Sequence, residues 1–327
     1  MAARSPLAKQ PAASISRAWL VACVLVVLGL VGGAAFDPRP ERPVVRRAGY
    51  RVLEADFHMH TTYSDGTLSP LSLVRQAERR GLDAIGVTEH NTVLAGQLAR
   101  AWSEATGGPI VIPGEEITTG GYHLIGVGLE RTVSPDQPVE RVVADIHAQG
   151  GVAIGAHPVK RFQPGLAPVR AQLDGVELMH PIAFASQSPE WSWLDLLAYY
   201  EETTPRPAAI GSSDYHFASV LGLCRTLVFV REPASAAAVV EAIRERRTVV
   251  LDRDGRLFGH PELVRALERE PYTPRSSDYA YRGENGADRT LRLLGLAGVA
   301  GVAFLRVRPR PRGEAEGGRA PVSPSPS

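Results

Sequence analysis

Between residues 50 and 253, short apolar runs alternate with segments of helical character, and this alternation restricts the fold of the 327-residue chain more than any other feature. Strands separated by helices at such spacing assemble into a parallel sheet with helices around it, and the length suits a β/α barrel. The pattern predicts strands over 52–59, 83–88, 109–113, 122–127, 152–156, 175–178, 208–211, 226–230 and 249–251. Helices are predicted over 69–80, 94–105, 138–149, 190–200 and 234–246. The first helix carries its own punctuation: Ser69 as cap, Pro70 at the first helical position and Gly81 at the stop.

Nearly every expected strand ends on a residue able to bind a metal. The first delivers His58 and His60, which share one face of an extended strand because residues i and i+2 do so, with Asp65 five residues beyond. Later runs end at Glu89-His90, at Glu115-Glu116, at His157 and at Asp214-Tyr215-His216, while His123 opens another. In a β/α barrel the C-terminal strand ends converge on one face, so residues distant in sequence meet there. One histidine at the end of an apolar run is most often a packed or exposed side chain; six of the nine, joined by carboxylates, form a constellation. His147 within a helix, and His180 and His260 in turns before proline, read as ordinary structural histidines, and Glu177 is a weak candidate.

Imidazoles and carboxylates without thiolates suit Zn, Mn or Fe, and so many donors exceed what one ion needs, implying two or three divalent ions. Clustered ions generate hydroxide from water and stabilise a developing oxyanion, which is a hydrolase design best suited to a phosphoester. The balance of 36 Lys and Arg against 35 Asp and Glu gives no global case for nucleic acid or for an acidic partner. Cys23 lies in an apolar run and leaves Cys224 alone, so neither a structural disulfide nor a cysteine metal site is expected.

The ordered set His58-x-His60-Thr61, Ser64-Asp65-Gly66, Thr88-Glu89-His90-Asn91, Gly114-x-Glu116, His123, Ala156-His157-Pro158 and Ser213-Asp214-x-His216 resembles the PHP (polymerase and histidinol phosphatase) family. The resemblance covers about residues 56–251 and implies a distorted (β/α)7 barrel with a trinuclear site carrying Zn, Mn or Fe. By matching position it implies His58, His60, Glu116 and Asp214 on one ion, and His123, His157 and Glu116 on a second. A third would take Asp65, His90 and His216. Asp214 and His216 are the residues expected to act in catalysis. Glu116 is preferred to Glu115 on the Gly-x-Glu spacing, and Glu89 departs from the commoner aspartate without touching the ligand histidine. Lys160 and Arg161 stand where similar phosphoesterases place a basic residue, with Arg225 as a second option for holding substrate. The expected reaction is hydrolysis of a phosphomonoester, nucleotide or oligonucleotide. A carboxylic or carbamate ester hydrolase and a non-catalytic metal-binding sensor are the alternatives.

Outside the barrel, residues 1–17 are basic and 18–36 carry no charge, enough for about 28 Å of helix and hence a membrane anchor or a signal peptide. Residues 37–51 read as a linker, 52–253 as the catalytic domain and 254–290 as an extension. A second apolar helix over 291–305 is expected to span the membrane or to lie buried or interfacial, ahead of a basic, Pro/Ser-rich tail at 306–327. This topology would place the catalytic domain outside the cytoplasm, with secretion after signal cleavage as the alternative.

Overall fold

The structure is a computed structural model, and it describes residues 17–35, 43–181, 183, 190–216, 220–252, 255–273 and 286–307, with side chains of 30–35, 286–289, 292 and 306–307 left aside. Most of the expected N-terminal segment, residues 37–42 of the expected linker and most of the C-terminal tail therefore lie outside the described residues, while the rest of that linker is corrected, since it holds a strand over Val45–Arg47 and the start of another at Tyr50. The chain divides into two compact units, one of residues 39–281 and one of 1–38 with 282–327.

The larger unit is built on an eleven-stranded sheet. Its strands are β1 (Val45–Arg47), β2 (Tyr50–Asp56), β3 (Ala84–His90), β4 (Ile110–Thr118), β5 (His123–Val127), β6 (Val152–Gly155), β7 (Gly175–Met179), β8 (Ala208–Gly211), β9 (Thr226–Val230), β10 (Thr248–Leu251) and β11 (Leu257–Gly259). They lie in the order β11-β10-β9-β2-β3-β4-β5-β6-β7-β8, with β1 paired to β2. The sheet curls until β8 meets β9. There the Thr226 hydroxyl accepts the Gly211 N–H at 2.9 Å and donates to the Gly211 carbonyl at 3.0 Å, so one side chain stitches the seam. The result is a nearly closed α/β barrel.

The parallel sheet expected from the alternation is corrected in part. β2, β3 and β4 run parallel, as do β6, β7 and β8, but β5 is antiparallel to both neighbours and β9 to β2. Only residues 119–122 join β4 to β5, and a parallel crossover needs a dozen or more. The hairpin has a useful consequence: β5 starts at the end of the barrel where β4 finishes, so His123, its first residue, faces the same rim as Glu116.

Around the sheet run α2 (Pro70–Arg79), α3 (Leu94–Thr106), α4 (Val139–Ala148), α5 (Gln163–Leu166) with the 3-10 turn Ala167–Gln172, α6 (Trp193–Glu202), α7 (Ala236–Arg244) and α8 (Pro261–Arg269). α2 begins as its sequence predicts, the Ser69 hydroxyl accepting the Ser72 N–H at 3.2 Å. α7 has a separate task. Its Val239, Val240, Ala242 and Ile243 join Leu53, Ile112, Val127 and Ile154 in one buried cluster. Val240 reaches the end where β5 stops and β6 starts, so this helix closes the floor away from the ligand rim. Each such side chain contributes about 1.5–3 kcal/mol on burial.

In the smaller unit, α1 (Arg17–Ala35) packs on α9 (Gly286–Val307) with backbones in contact: a Cβ on Gly29 would lie 2.4 Å from the Gly295 Cα. Over the described residues, no helix is long and apolar enough to cross a membrane. The expected spans over 18–36 and 291–305 are thus not supported. In α9 the uncharged run is only 293–305, about 20 Å of helix between Arg292 and Arg306, against roughly 30 Å of hydrocarbon.

Candidate metal centre

The strand ends deliver their side chains to one point. His58 and His60 follow β2 and are fully buried, and Met59 between them points into the core, as two-residue alternation requires. A bridge from Met59 to Tyr215 ties this segment to the loop after β8, so Asp214 sits across from the two imidazoles. Asp214 Oδ1 lies 3.2 Å from His58 Nε2 and 3.3 Å from His60 Nε2. Glu116 Oε2 lies 3.4 and 3.6 Å from the same nitrogens. Neither Nε2 makes a hydrogen bond, although both are sealed from solvent.

Glu116 is the hub. Besides facing His58 and His60, its Oε1 accepts from His123 Nδ1 at 2.7 Å and lies 3.3 Å from His157 Nε2. Its Oε2 is 2.8 Å from His90 Nδ1. Glu115, one residue away, points to the other side of β4 and accepts the Val133 N–H at 2.5 Å, with burial pushing its carboxyl up to about 7. Strand alternation thus separates the two adjacent glutamates that spacing alone had to choose between.

Asp65 forms a third corner, 3.3 Å from His216 Nε2 and 3.4 Å from His90 Nε2. All nine residues expected as ligands come together. Eight of the nine fall into three groups of metal-capable atoms, His58/His60/Glu116, Glu116/His123/His157 and His60/Asp65/His90/His216, each within 4.8 Å, and Asp214 faces the first of them through His58 and His60. A fourth group is His58/His157/Glu177/His180. The last two residues are where the sequence reading fell short. His180 directly follows β7 and places Nε2 3.0 Å from Asp214 Oδ2, with its ring against Trp191 at 5.7 Å. The signal was present, since His180 obeys the strand-end rule that identified the others. By contrast His147 pairs with Asp174 at the surface, and His260 precedes α8, as ordinary residues do.

The basic residues expected to hold substrate are dispersed. Lys160 is exposed and faces Asp195 at 3.4 Å. Arg161 lies over the Phe162 ring at 4.6 Å, and Phe162 stacks on His123, so Arg161 stands at the rim one ring removed from the donors. Arg225 is corrected. Its guanidinium donates to Glu54 Oε2 at 2.5 Å, to the Gly222 carbonyl at 2.7 Å and to the Arg80 carbonyl at 2.6 Å, so it is committed to the fold.

A PHP domain model matches residues 56–148 and a PHP-associated model residues 206–248. The two matches run from the end of β2 through α4 and from β8 to the start of β10, and take in every expected donor but His157. Residues 56–148 are a PHP domain. Proteins similar to this chain include an uncharacterized protein of Methanocaldococcus jannaschii, 29% identical over 141 residues, or 39% of this chain and 82% of that one. A 5'-3' exoribonuclease of Haemophilus influenzae is 33% identical over 81 residues, 24% of this chain and 29% of that protein. The chain therefore spans under a third of the exoribonuclease. Among solved structures, a two-domain Bacteroides vulgatus protein containing a predicted PHP-like metal-dependent phosphoesterase shares the fold. Its TM-score is 0.58 at 24% identity, covering 71% of this chain and 74% of that one. The PHP domain and its gathered donors make the protein a metal-dependent hydrolase.

The electrostatics fit cations at this PHP centre. Burial alone would raise the Glu116 carboxyl, but the charge on His58 and hydrogen bonds from His123 and His157 outweigh it and hold it well below the usual carboxylate range. Asp214 behaves alike: burial opposes, while His58 charge and the His180 hydrogen bond win. Burial lowers His60 and His157, leaving neutral imidazoles with lone pairs to give. Burial also pulls on His58, yet Asp214, Glu177 and Glu116 around it raise its pKa well above the ordinary value. Carboxylates converging on imidazoles, those of His60 and His157 kept neutral, with buried Nε2 atoms lacking hydrogen bonds, are what divalent ions require.

Proposed function

We propose that the protein is a phosphoesterase acting on a phosphomonoester or on a nucleotide or oligonucleotide, with two or three Zn, Mn or Fe ions. The observation that carries this reading is the convergence of His58, His60, His90, His123 and His157 on the single carboxylate of Glu116. One carboxylate shared by five imidazoles matches a multinuclear site rather than a single ion. His58, His60, Glu116 and Asp214 would hold one ion, His123 and His157 with Glu116 a second, and Asp65, His90 and His216 a third.

Bound there, divalent ions supply hydroxide near neutral pH and neutralise the charge that develops on phosphoryl oxygens. The chain supplies direction. His58 and His60 are sealed, whereas the side chains of His216 and His90 are 25 and 27% exposed and that of Asp65 is 54% exposed. Substrate therefore enters from the Asp65 corner. Asp214 turns Oδ1 to the donors and Oδ2 to His180, so the imidazole N–H holds the carboxylate in place while Oδ1 stands where it can take a proton released at the centre. Arg161 at the rim is the cation placed to steady the substrate's charge. The exoribonuclease named among the relatives supports including nucleic acid among the substrates.

The test offers purified, metal-loaded protein p-nitrophenyl phosphate, mononucleotides, an oligonucleotide and carboxylic or carbamate esters. Hydrolysis of a phosphoester is expected, lost in His60→Ala. Turnover of the carboxyl substrates alone refutes the phosphoester reading, and activity retained by His60→Ala refutes the site. The extracytoplasmic location also stands as a proposal, supported by the uncharged run 18–36. A C-terminal reporter active only outside the cytoplasm contradicts the expected topology.

A further inference from the structure

Glu177 sits on β7, fully buried, behind the first pair of histidines. Its Oε1 lies 3.0 Å from His58 Nδ1, and its Oε2 accepts the backbone N–H of His157 at 2.7 Å. One carboxylate thus grips two strand ends that arrive from opposite parts of the chain, one by its ring and one by its backbone. The His157 backbone needs the grip, because φ of +23° is a conformation that side-chain-bearing residues rarely adopt.

We propose that Glu177 is a positioning residue of the metal centre, setting the tautomer of His58 and the placement of His157; this rests on the reading of the centre as a metal site. An ionised carboxylate only accepts hydrogen bonds, so the proton shared with His58 belongs to Nδ1. With Nδ1–H pointing at Glu177, a neutral His58 carries its lone pair on Nε2, the atom that faces Asp214 Oδ1 and Glu116 Oε2. Both Glu177 oxygens are engaged, so it acts through its neighbours. The rival role is direct ligation, because Glu177 also belongs to the donor group with His58, His157 and His180.

Glu177→Gln separates the two. An amide has one acceptor oxygen, so it satisfies either the His58 ring or the His157 N–H and presents its NH2 to the other. Ions bound at saturation, counted by elemental analysis with Zn or Mn, should equal the parent's, while chelator competition should show affinity weakened 10–100-fold. Parent-like affinity overturns the proposal, and so does the loss of one whole ion at saturation, which would make Glu177 a ligand. If the variant fails to fold by circular dichroism, the Zn-loaded parent decides. Its histidine nitrogen NMR should show His58 with hydrogen on Nδ1, and hydrogen on Nε2 overturns the proposal. A parent that binds no divalent ion removes the metal-centre reading and this inference together, whereas a binding parent with an unaffected Gln variant removes this inference alone.

Discussion

Arg225 illustrates how a residue's surroundings override its type. Beside the last motif it reads as a substrate clamp, yet it is buried against Glu54, whose other oxygen accepts the Tyr272 hydroxyl at 2.5 Å. Removing one partner of such a buried pair leaves a charge without compensation. Arg225→Ala should therefore cost about 3–5 kcal/mol in chemical denaturation, with the number of ions bound unchanged. Glu116→Gln should do the reverse, lowering the ion count in elemental analysis while removing a buried charge. Most of the nine expected donors were legible because they sit where an apolar run ends and a rim begins, whereas His123 opens its run and Asp65, in the turn beyond, takes its role only from the resemblance. What could not be read was direction: nothing in the letters tells which of Glu115 and Glu116 faces inward, or that Glu177 turns toward His58. Those facts depend on pleat and pairing.

At the level of elements, helix starts and stops were legible where one residue does local work, as Ser69 does through its hydroxyl and Gly81 through its positive φ. β1 and β11 fall in stretches that read as linker and extension, but the existence of the strands β2 to β10 was equally clear. Strand direction was not, since alternation of type implies crossovers and only the four residues between β4 and β5 argue for a hairpin. That hairpin is tight enough to demand glycine: a Cβ on Gly114 would sit 2.4 Å from the Gly126 carbonyl oxygen on β5. Gly114→Ala must push the strands apart at the point that places both Glu116 and His123. Overpacking of this kind costs about 1–3 kcal/mol. The variant should melt earlier and bind the ion shared by Glu116 and His123 more weakly, which calorimetry and chelator competition read separately.

For the molecule as a whole, two units imply two independent losses. Residues 39–281 contain every donor and the complete sheet, so this fragment should fold alone and bind the same number of ions per chain as the full protein. A fragment that is unfolded by circular dichroism contradicts that expectation. Ions that bind only the folded state raise its stability, so stripping the parent with chelator should lower the melting temperature, and adding Zn or Mn should restore it. The seam between β8 and β9 carries one more consequence. A ladder of backbone bonds opens cooperatively, but the Gly211 amide hangs on the Thr226 hydroxyl, a rotor that can let go by itself. Deuterium should enter at Gly211 ahead of the amides paired within β2 and β9, and Thr226→Val should quicken it further. If the exchange runs in that order, the barrel opens along this line, and the segment nearest the opening is the one bearing Asp214.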